Sequence, residues 1–110
     1  MSLDQETRAD ITILTPKGRL DSATSIPLEL AVLERLQSGC KRLVFDLSGV
    51  DYISSAGLRV ILLAGKKLRA VEGRLVLCGL REEVRGVFEM SGFLTLFAFT
   101  QTLDQALDQV

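Results

Sequence analysis

Short apolar runs and amphipathic stretches alternate along the chain. Ile11-Thr12-Ile13-Leu14 opens a strand over Asp10 to Leu20, with a break or bulge towards its end at Pro16-Lys17-Gly18. Leu3 to Thr7 reads as a short edge strand ahead of it. Asp21, Ser22, Thr24 and Ser25 then crowd together, which is the chemistry of a helix cap. Pro27 is tolerated in a first turn that needs no intrahelical donor. The helix that follows carries Ile26, Leu30, Leu33 and Leu36 at i, i+4, i+7 and i+10, a spacing that predicts one buried stripe. Ser38-Gly39 ends it.

The next strand, Arg42 to Leu47, is apolar on both faces at Leu43-Val44-Phe45, as an inner strand covered on both sides should be. A helix over about Ala56 to Ala70 is expected to bury Leu58, Ile61, Leu62, Gly65 and Leu68 and to turn Arg59, Leu63 and Lys66 outward. Its charges are Arg59, Lys66, Lys67 and Arg69, all basic and mostly in the last turns, where cations complement the helix dipole. Gly73 separates it from a strand over Arg74 to Cys78. A third helix over about Arg81 to Met90 buries Val84, Val87 and Phe88 and stops at Ser91-Gly92. Phe93 to Thr100 reads as a last strand, with Phe97 and Phe99 in the core. Thr102 and Gln105 form a capping box for a closing helix. Repeated strand–helix–strand units argue an α/β domain over residues 1–110. Its sheet is mostly parallel or mixed, of about five strands, flanked by about four helices.

Composition narrows the function. The chain has 110 residues with 47% hydrophobic and 25% charged positions, as a folded domain with its own core requires. Thirteen basic against fourteen acidic residues leave a net charge of −1, which gives no electrostatic footprint for nucleic acid. No apolar run reaches the length of a membrane span, and Met1-Ser2-Leu3-Asp4 reads as a cytoplasmic start without a signal peptide. Cys40 and Cys78 form no CxxC pair, and there is no histidine, so neither a metal site nor a Ser/His or Cys/His nucleophile pair is expected. Gly65-Lys66-Lys67 resembles the end of a phosphate-binding loop, but Val60 stands where that motif needs its first glycine and Lys67 where it needs a hydroxyl. Asp46 and Asp51 read as turn formers, not as an acid/base pair. These residues argue against an enzyme and imply no cofactor.

The informative stretch runs from Leu43 to Arg69. Between its strand and its helix lies a polar elbow in which Ser54 and Ser55 come just before Gly57. Hydroxyls at a helix start lie beside unpaired backbone N–H groups and at the positive end of the dipole, a position suited to a phosphate.

Asp46-Leu47-Ser48 through Asp51-Tyr52-Ile53-Ser54-Ser55-Ala56-Gly57-Leu58-Arg59-Val60 resembles the signature of STAS domains, specifically SpoIIAA-like bacterial anti-sigma factor antagonists. Gly18-Arg19-Leu20-Asp21, Leu77-Cys78-Gly79-Leu80 and Glu89-Met90-Ser91-Gly92-Phe93 agree with it in order, so the resemblance covers nearly the whole chain. It implies a cytoplasmic regulator that binds an anti-sigma factor serine kinase, is released by phosphorylation at the elbow, and is restored by a metal-dependent phosphatase of the PP2C type. In that family the phosphorylated serine follows an aspartate and stands two places before the glycine, which maps to Ser55. Here Ser54 takes the aspartate's place, removing a carboxylate and leaving Ser54 as a second candidate acceptor, and Ala56 replaces the usual second hydroxyl. The resemblance further implies a partner-binding surface of Asp21, Ser22, Thr24, Ser54, Ser55, Gly57, Leu58, Arg59, Leu63 and Lys66. Two other roles fit a STAS domain: an unphosphorylated scaffold binding the ATPase of a lipid-transport ABC complex, and a small-molecule or anion sensor.

Overall fold

The computed structural model describes residues 2–110; Met1 lies outside them. Ten elements follow in order: β1 (Ser2–Arg8), β2 (Ile11–Leu20), α1 (Ser25–Gln37), β3 (Arg42–Asp46), β4 (Val50–Ile53), α2 (Ser55–Ala70), β5 (Arg74–Cys78), α3 (Glu82–Met90), β6 (Ala98–Thr100) and α4 (Leu103–Gln109). The strands form one sheet in the order β1-β2-β3-β5-β6, with β4 pairing separately to β2. β1 is antiparallel to β2, and every other pairing is parallel.

Side-chain alternation sorts the core onto the two faces of this sheet. Leu14, Leu43, Phe45 and Leu77 point to the side covered by α1, α2 and α3, where they meet Leu28, Val32, Ile61, Leu68 and Phe88. Ile13, Val44, Val76 and Cys78 point to the other side, which α4 covers with Ala106. β3 is thus apolar in both directions because helices lie on both faces. Burial pushes the Cys78 thiol up to about 12, with Asp46 adding to the effect. The capping box at Thr102 and Gln105 is present. Phe88, Phe97 and Phe99 pack edge to face, with ring centroids 5.6 to 6.3 Å apart.

Four expectations are corrected. The element order read from the sequence omits one strand, Val50–Ile53, which pairs with β2 off the main path of five. The last strand is confined to Ala98–Thr100, and the chain turns through residues 94–96 instead of extending from Phe93. In α2 the buried set is Gly57, Leu58, Val60, Ile61, Ala64 and Leu68, while Leu62 and Gly65 are half-buried. The largest change concerns α1. Its buried residues are Ser25, Leu28, Ala31 and Val32. Ile26 is 63% and Leu30 56% exposed, and Leu33 and Leu36 are only half-buried. At about 100° per residue, Ile26, Leu30 and Leu33 point nearly opposite to Leu28, Ala31 and Val32, so α1 is apolar on two faces.

Phe88 is fully buried and is the ring that both Phe97 and Phe99 touch. Phe88→Ala should lower the unfolding free energy by about 3–5 kcal/mol, measured by urea denaturation.

Candidate functional site

The elbow is built by β2 changing partners. Its first half, Ile11 to Leu14, pairs with β3; its end, Gly18 to Leu20, pairs with β4. Gly18 takes a left-handed φ of +97°, and the register shifts between Gly18 and Arg19, which bends the strand where the partner changes. Gly49 donates no side chain there: a Cβ on it would lie 2.9 Å from Lys17 Cγ. The β3–β4 turn is tied by Asp46, whose Oδ1 accepts from the backbone N–H and hydroxyl of Ser48 at 3.1 and 2.8 Å. Asp46 is therefore a turn former, as its position suggests.

β4 delivers the chain to α2 directly above the end of β2. The Ser54 N–H donates to the Leu20 carbonyl at 2.8 Å. Ser54 is the N-cap: its backbone is extended (φ −95°, ψ 176°), its carbonyl accepts from the Leu58 N–H at 3.0 Å, and its hydroxyl accepts from the Gly57 N–H over a long 3.5 Å. Ser55 is the first helical residue and is exposed, and its hydroxyl has no hydrogen-bond partner among the described residues. The two serines therefore differ: one is half-buried and caps the helix, the other faces outward. Gly57 is buried, and a Cβ there would lie 2.8 Å from Ile53 Cγ1 and 3.2 Å from the Leu20 carbonyl. The missing side chain is what lets α2 start so close to the sheet.

The loop between β2 and α1 lies beside this elbow because Leu20 belongs to both. Asp21 Oδ1 accepts from the backbone N–H groups of Ala23 and Thr24, both at 3.1 Å, and the Thr24 hydroxyl donates to the Arg19 carbonyl at 2.6 Å. Asp21 and Thr24 thus fold a turn before the helix, and Thr24, at the N-cap position of α1, makes no side-chain cap bond. This corrects the simple cap reading of that cluster. The Thr24 N–H, foremost, holds the Asp21 carboxyl below its ordinary range, with the Thr24 hydroxyl, the Ala23 N–H and Arg19 acting in the same direction.

Of the expected surface residues, Asp21, Ser22, Thr24, Ser54 and Ser55 come together at this end of the sheet. Arg59, Leu63 and Lys66 run away from it along α2; Arg59 and Lys66 are exposed and Leu63 is half-buried. Arg59 pairs with Glu29 of α1 at 3.4 Å. Gly57 and Leu58 are buried and shape the surface from beneath. Two exposed neighbours escaped the sequence reading: Tyr52, two residues before Ser54, and Arg19, whose guanidinium carbon lies 4.1 Å from the Tyr52 ring centroid. They are cross-strand partners, a relation visible only once β4 is known.

Residues 2–106 match the STAS domain family. The chain belongs to that family. As a STAS domain it is 43% identical over 106 residues to BtrV of Bordetella bronchiseptica, provisionally named an anti-sigma factor antagonist, covering 96% of this chain and 91% of the relative. The crystal structure of an anti-sigma factor antagonist from Mycobacterium paratuberculosis superposes with a TM-score of 0.90 at 26% identity, covering 99% of this chain and 92% of that one. The anti-sigma factor antagonist SpoIIAA shares the fold in its unphosphorylated form, with a TM-score of 0.86 at 21% identity over 98% of this chain and 95% of that one. In its phosphorylated form, from Bacillus, the score is 0.79 at 20% identity over 98% of both chains. The STAS match accords with the fold class read from the sequence. No helix among the described residues is long and apolar enough to cross a membrane.

Two outcomes follow from the geometry of this STAS elbow. Gly57→Ala should destabilise the domain by about 1–3 kcal/mol in a denaturant titration, because the added methyl meets Ile53 and the Leu20 backbone. A depressed folded-state pKa means that Asp21 stabilises the turn above the ordinary carboxylate range and loses that contribution as pH falls through its own lower value. A carbon-detected NMR titration should place its midpoint below the usual value of about 3.9.

Proposed function

We propose that this protein is an anti-sigma factor antagonist that binds an anti-sigma factor serine kinase when unmodified and is released by phosphorylation of Ser55. The observation that carries the reading is the division of labour between the serines. Ser55 offers an exposed, unengaged hydroxyl at the helix start, while the Ser54 hydroxyl is turned inward on the Gly57 N–H. The name of the 43% identical relative supports the regulatory class.

The physical chemistry of the switch is local. A phosphate on Ser55 adds about −1.5 to −2 charge beside the unbonded N–H groups of the first turn and the positive end of the α2 dipole, so the fold tolerates it. On a docking surface the same charge must shed its water against the partner, which weakens binding without any rearrangement of the domain. Asp21, Ser22, Thr24, Ser54 and Ser55 form the part of that surface nearest the phosphate, and Arg59, Leu63 and Lys66 extend it along α2. Gly57 and Leu58 contribute by positioning. A PP2C-type phosphatase acting on the exposed phosphoserine returns the protein to its binding form. The setting is cytoplasmic and involves neither nucleic acid nor membrane insertion.

Intact mass and site mapping of the protein isolated from its host test this reading. A fraction heavier by one phosphate is expected, mapped to Ser55, abolished in Ser55→Ala and kept in Ser54→Ala. Phosphate on Ser54 would overturn the assignment, and absence of phosphate under every growth condition would overturn the switch.

A further inference from the structure

The last turns of α2 hold basic residues beside an apolar recess. Leu62, Gly65, Lys66 and Arg69 stand at i, i+3, i+4 and i+7 and so share one face of the helix. That face looks across to β6, the three-residue edge strand, and to the turn before it. Between them lies a cleft of about 420 Å³. Leu75 and Phe97, both half-buried, line it from the sheet side, and Leu96, 51% exposed, stands across from α2. Gly65 keeps side-chain atoms out of it: a Cβ there would lie 3.1 Å from Phe97 Cε1 and 3.6 Å from Leu75 Cδ2.

Charge sits on one lip of this cleft. Lys66 and Arg69 are exposed, and neither has a carboxylate within ion-pair distance among the described residues. Cations near a helix C-terminus complement the dipole, but Lys67, which lines a groove on the other side of α2, meets that need without touching the cleft. Glu72, in the turn after the helix, is the one carboxylate in the lining, so cations outnumber it two to one. A concave apolar site of this volume, with a few charged groups converging on it, has the form of a small-molecule site rather than of a protein interface.

We infer that this cleft binds a small single-chain amphiphile with an anionic head, its tail on Leu75, Phe97 and Leu96 and its head at Lys66 and Arg69. The two cations are one helical turn apart, close enough to share one head, and the Arg69 guanidinium can hold it through two N–H groups. Carboxylate and phosphate heads share this chemistry. Glu72 acts with the opposite sign and limits the affinity for either. The site lies on the β6 side of α2, away from Ser55 at the helix start, and does not depend on the kinase reading. Lys66 also belongs to the proposed partner surface, so Arg69, which does not, gives the cleaner variant.

Isothermal titration calorimetry of the purified full chain with decanoate, decyl phosphate and decanol tests this. At least one of the anions should bind one to one with a Kd below about 1 mM, and decanol at least about tenfold more weakly. The tighter anion identifies the head. Arg69→Gln should weaken that anion about tenfold, as loss of a charge-assisted bond does, and Glu72→Gln should tighten it. Lys67→Gln removes a cation from the other side of α2 and should leave Kd unchanged. The altered side chains are exposed, and unchanged melting curves exclude misfolding. Amide shifts on titration should fall on Leu62, Gly65, Leu75 and residues 96–98. No saturable binding of either anion would overturn the inference, as would equal binding of decanol, an equal loss in Lys67→Gln and Arg69→Gln, or shifts centred on the elbow. Binding to vesicles of anionic lipid without binding of either monomeric anion would overturn it in favour of a membrane-surface contact.

Discussion

The structure depends on a short seam where the end of β2 leaves β3 and takes β4 as its partner. There Leu20 is fully buried, its carbonyl accepts the Ser54 N–H, and Gly57 of α2 approaches within contact of its backbone. One residue thus fixes the start of α2, the end of β4 and the origin of the Asp21 turn. The Ser54 N–H bonds to the Leu20 carbonyl and the Asp21 turn continues directly from Leu20, so the two loops form one surface.

That arrangement explains how the site can be both exposed and ordered. Ser54 carries the cap and Gly57 gives the close approach, so Ser55 is presented on a helix rather than on a free loop. The Asp21 turn is held by the Thr24 and Ala23 N–H groups, and Arg19, lying over Tyr52, stiffens its flank. A surface prepared in this way loses little conformational entropy when a partner binds. On the proposed reading, a charge added to it acts by electrostatics and desolvation, with the sheet beneath left in place.

Much of this was legible in the sequence, and the failures have physical causes. β3 could be read because Leu43-Val44-Phe45 is apolar in both directions, and the closing helix because Thr102 and Gln105 cap it reciprocally. β4 could not be read: only Val50 and Ile53 of its four residues are buried, so it has no alternation, and its pairing with β2 is a long-range event. The buried side of α1 differs from the one its spacing predicts because the helix is apolar on opposite faces. Periodicity finds both stripes and does not say which one meets the sheet. Leu28, Ala31 and Val32 meet the sheet, and Ile26 and Leu30, no smaller than Leu28, are left exposed. Phe93 to Thr100 looks like one strand because its aromatic residues suit a strand, whereas the chain turns through residues 94–96 before the strand Ala98–Thr100. The Ser54–Ser55 pair was visible as chemistry, but which hydroxyl faces outward follows from the cap geometry.

The central claim is that modification at the elbow changes a surface and not a fold. Amide NMR spectra of the unmodified protein and of protein phosphorylated on Ser55, compared residue by residue, test it most directly. The account predicts shifts confined to the elbow, the first turn of α2 and the Asp21–Thr24 turn, with amide exchange in β3 and β5 unchanged. Shifts or lost protection spread through β3, β5 and the Phe88 cluster would contradict it.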